Sequence, residues 1–343
     1  MYTYFHKATW QSAVYFYKRS KKRKDSSGRF MITALLCMLI TATAGTATAR
    51  TGPIADFPTP SPMAVGFSFP LAKINDSTMA RIKSVGIDYI EIAGITGLAD
   101  KQTDIKYSDA KLREMAAKAK KAADNAGVKI WSIHMGYGSH IDLSERNEAK
   151  REKTIAFHKK ILMMCQILRP QIILFHPSWY LGLHERPQRI AQLIKSCREL
   201  LPIIEKQGAT MVIENMLGYE LQKDEKYERP LCRSVAETKG IFKRLPAAIG
   251  SAIDMNHIKN PEKLITAMGS RLKTVHVADG NGREENHYLP CSGKGDNNWN
   301  AILAVLYKVH YAGPFMFECH YKDVSELTAC YKTLYADYLS SLK

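Results

Sequence analysis

The sequence predicts a single-domain α/β fold of the (β/α)8 barrel class over residues 64–343. Three observations predict it. Short, nearly continuous apolar runs alternate with longer amphipathic segments, and the alternation repeats eight times. At seven of the eight run ends a carboxylate or imidazole breaks the apolar pattern. Parallel strands need a crossover that covers the sheet, and closing the sheet removes its edges, so eight such units make one barrel. No Rossmann glycine fingerprint or Walker loop points to an open, doubly wound sheet instead.

The first strand is expected at 64–69, after a proline-rich stretch, with a helical segment at 76–85. Strands at 89–92, 129–134 and 172–176 follow, each leading into a helical pattern, at 108–126, 146–168 and 187–207. In the last of these Leu193, Cys197, Leu200, Leu201 and Ile204 recur at the spacing of one helix face. The remaining strands fall at 211–214, 248–254, 274–277 and 315–318, with helices at 234–245, 261–268, 299–309 and 324–342. Gly86, Gly127, Gly208 and Gly313 stand where a helix must stop before the next strand. The loop 292–299 reads as a plain connection with Asp296, Asn297 or Asn298 as helix N-cap.

Upstream of the barrel the composition changes. The 343-residue chain is 45% hydrophobic and 24% charged, ordinary globular values, yet its net charge of +16 is unevenly placed. Residues 1–50 hold nine Lys/Arg against Asp25 alone, which is half of the excess. This basic run precedes an apolar stretch, 31–40, and small residues ending Ala47-Thr48-Ala49, the order of a secretory signal with an A-x-A cleavage site. Residues 1–49 are therefore expected to direct export to the periplasm, with Met31 or another internal start as the alternative beginning of the chain. Residues 50–63, carrying Pro53, Pro58, Pro60 and Pro62, read as a linker. No later segment is apolar for 18 residues, so no membrane span is expected after cleavage. Lys111, Arg113, Lys118, Lys120 and Lys121 lie on one predicted helix outside the barrel, a solvated face rather than a nucleic-acid surface. Six cysteines outside the signal show no C-x-x-C spacing, which removes zinc ribbons and dithiol redox motifs and leaves disulfide connectivity open.

In a barrel, polar residues at the C-terminal strand ends face the mouth where chemistry occurs. Here they are Glu91, His134, His176, Glu214, Asp254 with His257 beyond, His276 with Asp279, and Glu318. So many carboxylates in one low-dielectric mouth repel unless a cation balances them. A bound divalent metal supplies that balance, and oxygen and nitrogen ligands without thiolate suit Mn, Zn, Co or Mg.

These residues resemble the xylose isomerase-like TIM barrels, a family of sugar epimerases, dehydratases and endonuclease IV-type nucleases. The resemblance rests on Ile213-Glu214-Asn215, Asp254-x-x-His257, His276-x-x-Asp279 and Phe317-Glu318, in that order along the chain. It implies that Glu214, Asp254, His276 and Glu318 bind one metal, and that Glu214 and Glu318 are at once ligands and the catalytic acid/base pair. It also implies that His134, His176, His257, Glu285 and His287 bind substrate hydroxyls or additional metal, since the nuclease branch holds extra zinc at matching positions. That branch has Asp where Glu285 stands. Tyr137, Trp179 and Tyr180 lie in mouth loops where an aromatic face suits a sugar ring. The expected activity is a metal-dependent isomerase or epimerase acting on a non-phosphorylated keto-sugar or glycoside by proton abstraction next to a carbonyl. A 3-keto-glycoside lyase or hydratase shares that first step. An endonuclease IV-like phosphodiesterase and a non-catalytic sugar-binding barrel are the other readings; the oligomeric state is not legible.

Overall fold

A computed structural model describes residues 60–219 and 223–343. The expected signal segment and most of the linker lie outside them. Eight parallel strands form one sheet: β1 (Val65–Pro70), β2 (Tyr89–Ala93), β3 (Lys129–His134), β4 (Ile172–Phe175), β6 (Thr210–Glu214), β8 (Gly250–Asp254), β9 (Leu272–His276) and β10 (Phe315–Phe317). Neighbours along the chain are neighbours in the sheet, and β10 pairs with β1. Closure comes just beyond β9, where Val277 N–H donates to the Met316 carbonyl (2.7 Å) and Glu318 N–H to the Val277 carbonyl (3.1 Å). The chain is a (β/α)8 barrel, as its alternating pattern predicts.

The helices between strands are α1 (Asp76–Ser84), α2 (Asp109–Ala126), α3 (Glu148–Leu168), α4 (Arg186–Lys206), α5 (Val235–Phe242), α6 (Pro261–Met268), α7 (Trp299–Lys308) and α8 (Ser325–Ser341). Side chains set several starts: Asn75 forms a reciprocal capping box with Thr78, and Ser108, Asn147, Ser234 and Asn298 each accept from a backbone N–H in the first turn. Gly127 ends α2 in the left-handed region, as do Gly86 and Gly208 after α1 and α4. Gly313 has a different reason: a Cβ there would sit 2.3 Å from the Tyr311 hydroxyl.

Alternation along each strand divides the core in two. Ile173, Phe175, Met211, Ile213, Ile253, Val275, Phe315 and Phe317 join the large apolar layer beneath the helices. Ile172, Leu174, Val212 and Ala252 belong to a separate small cluster with Trp131, which is the barrel interior. Glu214 shares the phase of Val212, and Asp254 that of Ala252, so the polar strand ends continue the interior stack up to the mouth. Two irregularities keep this phase. Ile90 pairs with Ile130 but Glu91 with Ser132, which bulges Trp131 inward, where its indole N–H donates to Thr274 Oγ1 (3.1 Å). On β9 a matching shift leaves Lys273 unpaired and brings Thr274 and His276 inward. Gly66 makes room for Met316, whose Cε would lie 2.8 Å from a Cβ at that position.

His158 of α3 is buried between the rings of Phe157 and Phe175, at centroid distances of 5.3 and 5.0 Å. Burial pushes its pKa down to about 3 from 6.5. The unfolded chain thus binds a proton below pH 6.5 that the folded chain refuses. Stability is full above pH 6.5 and falls on acidification toward pH 3, by up to about 1.4 kcal/mol per pH unit from this group. Urea midpoints measured from pH 7 to 4.5 should fall less steeply for His158→Leu than for the parent; parallel slopes would contradict the assignment.

The structure also selects a cysteine pair that spacing alone left open. Cys291, in a 3-10 turn (Pro290–Ser292) after β9, is disulfide-bonded to Cys330 of α8, 39 residues on. Cys165, Cys197, Cys232 and Cys319 are free thiols. A loop of this length implies about 4 kcal/mol of unfolded-state restriction, and native disulfides commonly contribute 2–5. Cys291→Ser with Cys330→Ser should lower the unfolding free energy by roughly 2–4 kcal/mol in urea. An unchanged midpoint would show the bridge to be dispensable.

Candidate metal centre

His134, His257, His276, His287 and Asp254 are each fixed by a second contact that leaves another donor atom free to face the mouth. His276 Nε2 lies 3.0–3.1 Å from the buried Glu91 carboxylate, which also accepts from Ser132 Oγ (2.8 Å), so Nδ1 is the free donor. Around Nδ1 gather Glu318 Oε2 (2.6 Å), Glu214 Oε1 (2.8 Å) and Asp254 Oδ2 (4.0 Å). The Asn215 amide accepts from Asp254 N–H (2.9 Å) and donates to the Asp254 carbonyl (3.1 Å), stitching the ends of β6 and β8 at the height of the site. Asp254 Oδ1 accepts from the backbone N–H groups of Asn256 and His257, while Oδ2 is buried without a hydrogen-bond partner.

The other predicted residues flank this centre on two sides. His134 uses Nδ1 on the Met135 carbonyl (3.1 Å) and His176 packs against it, so their Nε2 atoms stand 3.6 and 3.2 Å from Glu214 Oε2. On the opposite flank His257 Nδ1 donates to the Asn215 carbonyl (3.0 Å) and His287 Nδ1 to the Glu318 carbonyl (2.7 Å). Their Nε2 atoms both meet Glu285 Oε2, at 3.0 and 3.1 Å. His287 holds a left-handed backbone (φ 42°), a conformation that costs a non-glycine residue about 1 kcal/mol and that these contacts sustain.

Among the described residues, three sets of ligand atoms lie within 4.8 Å of one another: Glu214, Asp254, His276 and Glu318; His134, Glu214 and His276; and Asp254, His257 and His287. All nine residues expected from the sequence therefore meet at one mouth. Electrostatics make the same point. Burial opposes a charge on His276, but Glu318, Glu91 and Glu214 override it and hold the imidazole well above its ordinary pKa. Burial likewise opposes charge on His134 and His287, and neighbouring carboxylates still raise both to about 9. Burial alone would raise Glu318, yet His276 and His134 bring it down to about 2. Asp254 goes the other way, raised by burial against the pull of His257 and His287. Protons on the imidazoles are here the counterions to a cluster of carboxylates, the role that a cation takes over. The orphaned Asp254 Oδ2 and the convergence on His276 Nδ1 fit a divalent ion held by two or three carboxylates and an imidazole.

Three features of the site are not legible in the sequence alone. Glu91 was visible as a strand-end carboxylate, but its role as the orienting partner of His276 depends on the bulge at Trp131. Asp279 proves structural: it accepts from Gly280 N–H (2.9 Å), Asn297 N–H (3.1 Å) and the Trp299 indole (3.1 Å), latching the loop that carries Glu285 and His287. The third is a two-stranded ribbon over the mouth, β5 (Leu181–Gly182) paired antiparallel with β7 (Tyr227–Glu228), too short to leave a periodic signal. Arg186 anchors it through Glu228, Glu237 (2.8 Å) and two backbone carbonyls. At the mouth lies a cavity of about 440 Å³ lined by His134, His176, His257, His287, Glu285 and Glu318 and by Tyr137, Trp179 and Tyr180. The aromatic residues expected on a sugar face are thus at the site.

Residues 79–334 match the family described as the xylose isomerase-like TIM barrel. The chain belongs to that family. Among solved structures, a D-tagatose 3-epimerase-like protein covers 82% of this chain with 100% of its own, at 19% identity and a TM-score of 0.64. The E. coli 3-keto-D-glucoside 4-epimerase covers 79% with 99% of its own, at 16% identity and a TM-score of 0.60. The D-psicose 3-epimerase of Clostridium cellulolyticum H10 covers 82% with 97% of its own, at 18% identity and a TM-score of 0.56. Such identities establish a shared fold. By sequence, an uncharacterized protein of Methanocaldococcus jannaschii is 25% identical over 194 residues, 57% of this chain and 72% of its own. Among the described residues no helix is long and apolar enough to cross a membrane.

Proposed function

We propose that this xylose isomerase-like barrel is an exported, divalent-metal-dependent sugar isomerase or epimerase acting on a non-phosphorylated keto-sugar or keto-glycoside. One observation carries the reading: the Glu214, Asp254 and Glu318 carboxylates converge with His276 Nδ1, and Glu318 also lines an adjoining cavity large enough for a sugar ring, together with His134, His176, His257, Glu285 and His287. Glu214, Asp254, His276 and Glu318 would hold a divalent ion, whose chemistry there would be Lewis acidity toward a carbonyl and hence acidification of the neighbouring C–H. Glu214 and Glu318 take that proton and return it to carbon, each held low in pKa and therefore available as a base. His134 and His176 hold hydroxyls on one flank, and His257, Glu285 and His287 do so on the other. The sugar epimerases of like fold support this class of substrate. The test is deuterium wash-in from solvent at the carbon beside the carbonyl, screened over free ketoses and 3-keto-glucosides with Mn, Co, Zn or Mg supplied in turn. Exchange with at least one pair is expected, and product analysis then separates epimerisation from elimination by a lyase. No exchange across the whole set would overturn the proposal.

A second reading has its own observation. Glu285 reaches both His257 and His287 despite the side-chain length that sets it apart from the nuclease pattern, and Asp254, His257 and His287 form a further ligand group. Metal analysis of the purified protein decides between them: one equivalent agrees with the isomerase, whereas three zinc ions with hydrolysis of a phosphodiester would replace it.

The export component is supported by the basic, apolar and A-x-A order of residues 1–49 and by the Cys291–Cys330 bridge, since disulfides persist in oxidising compartments. Mass spectrometry of the protein from its native host should find a mature chain beginning at Arg50. A chain retaining residues 31–49 would make this segment an anchor instead.

A further inference from the structure

The metal-centre cavity is not isolated. A second cavity of about 410 Å³ abuts it, and Trp179 and Tyr180 line both. The outer cavity adds Tyr227 from the ribbon, half exposed, with Asp224 beside it, and Asp142, Glu145 and Arg189 from the loop after β3 and from α4. None of its residues belongs to the metal centre. Its chemistry is distinctive. Aromatic faces lie next to several hydrogen-bond acceptors, the combination that takes the C–H face and the hydroxyl edge of a pyranose ring. Its charge is unsuited to an anion: Asp142, Glu145 and Asp224 outnumber Arg189. The guanidinium is moreover engaged by Asp142 (3.2 Å) and Glu185 (3.0 Å). A phosphate or uronate placed there meets net repulsion, whereas a neutral polyol does not.

We infer that the substrate is a glycoside of two or more neutral rings, with the keto ring at the metal centre and the next ring in the outer cavity between Trp179, Tyr180 and Tyr227. The inference deepens the reading given under Proposed function and rests on it for the identity of the inner ring. Tyr137, on the inner side, stacks on His176 at a centroid distance of 4.0 Å, so the inner ring meets aromatic carbon as well as imidazole. The ribbon positions the outer aromatic wall: the Arg229 guanidinium donates to the Tyr180 hydroxyl (3.2 Å), linking β7 to the loop after β4.

The test compares three probes on the metal-loaded protein: 3-keto-glucose, its methyl glycoside, and the 3-keto disaccharide obtained by oxidising the non-reducing ring of cellobiose. Calorimetric Kd and kcat/KM are measured for each with the parent, Tyr227→Ala, Tyr227→Phe and Asp224→Ala. The disaccharide should bind at least about tenfold more tightly than either single-ring probe, a difference of about 1.4 kcal/mol. Tyr227→Ala should remove most of that preference and leave the single-ring probes unchanged, while Tyr227→Phe, which keeps the ring, retains it. Equal affinity for all three probes, or a loss in Tyr227→Ala shared equally by all, would overturn the inference. Preferential binding of the disaccharide without turnover of any probe would uphold the outer subsite and sink the proposed chemistry, so the two failures are distinguishable.

Discussion

Glu214→Gln and Glu318→Gln are each expected to lower solvent exchange by about a hundredfold to ten-thousandfold, the range that a positioned acid or base contributes. The substitution keeps size and an oxygen donor but removes the charge and the capacity to hold a proton in transit. Both side chains sit within 2.8 Å of His276 Nδ1, so the variants also weaken the ion's site. The two effects separate in a metal titration: exchange measured at saturating metal should remain low. A variant that binds metal normally and exchanges at the parent rate would dismiss that glutamate as acid or base. Solvent exchange lost with one epimer and retained with the other, in opposite senses for the two variants, would assign one glutamate to each face of the carbon.

The second large effect is expected at a residue that never touches the ion. Glu91→Gln should weaken metal binding by about tenfold to a hundredfold, as loss of an outer partner of a histidine ligand commonly does. The Glu91 carboxylate accepts from His276 Nε2 and so fixes which imidazole nitrogen faces the centre. A glutamine in its place can present its N–H₂ to Nε2 and reverse the tautomer. The readout is metal affinity by competition with a chelator, alongside kcat at saturating metal, which should recover toward the parent if the effect is purely on ligand orientation. Unchanged affinity would mean that packing alone orients His276.

The uneven legibility of this chain has physical causes. Strands such as 211–214 and 274–277 announced themselves because both faces of a parallel strand are buried and the apolar run is nearly unbroken. Glu214, Asp254, His276 and Glu318 stood out as ionisable residues at the ends of those runs, where burial without a partner is too costly to be accidental. What stayed hidden depends on pairing across long separations. Cys291 could have chosen any of several partners, and the bulge at Trp131 shows only when β2 is laid against β3. The ribbon joins two-residue strands whose pairing no local pattern records. Asp279 looked like a site residue because it follows a ligand strand; its three hydrogen bonds instead hold the following loop.

The single inward phase shared by these strand ends limits how such a sequence can drift. Inserting or deleting one residue within β6 would exchange Glu214 for a neighbour of the opposite phase and aim the carboxylate at the helix layer, and the same holds on β8 and β9. Connections above the strands carry no such constraint: the loops after β4 and β6 have room for the two strands of the ribbon, and the loop after β9 for the latch, without disturbing any ligand's phase. Length variation among descendants of this chain should accordingly collect above the mouth, where it reshapes what is bound, and spare the strands that decide how it reacts.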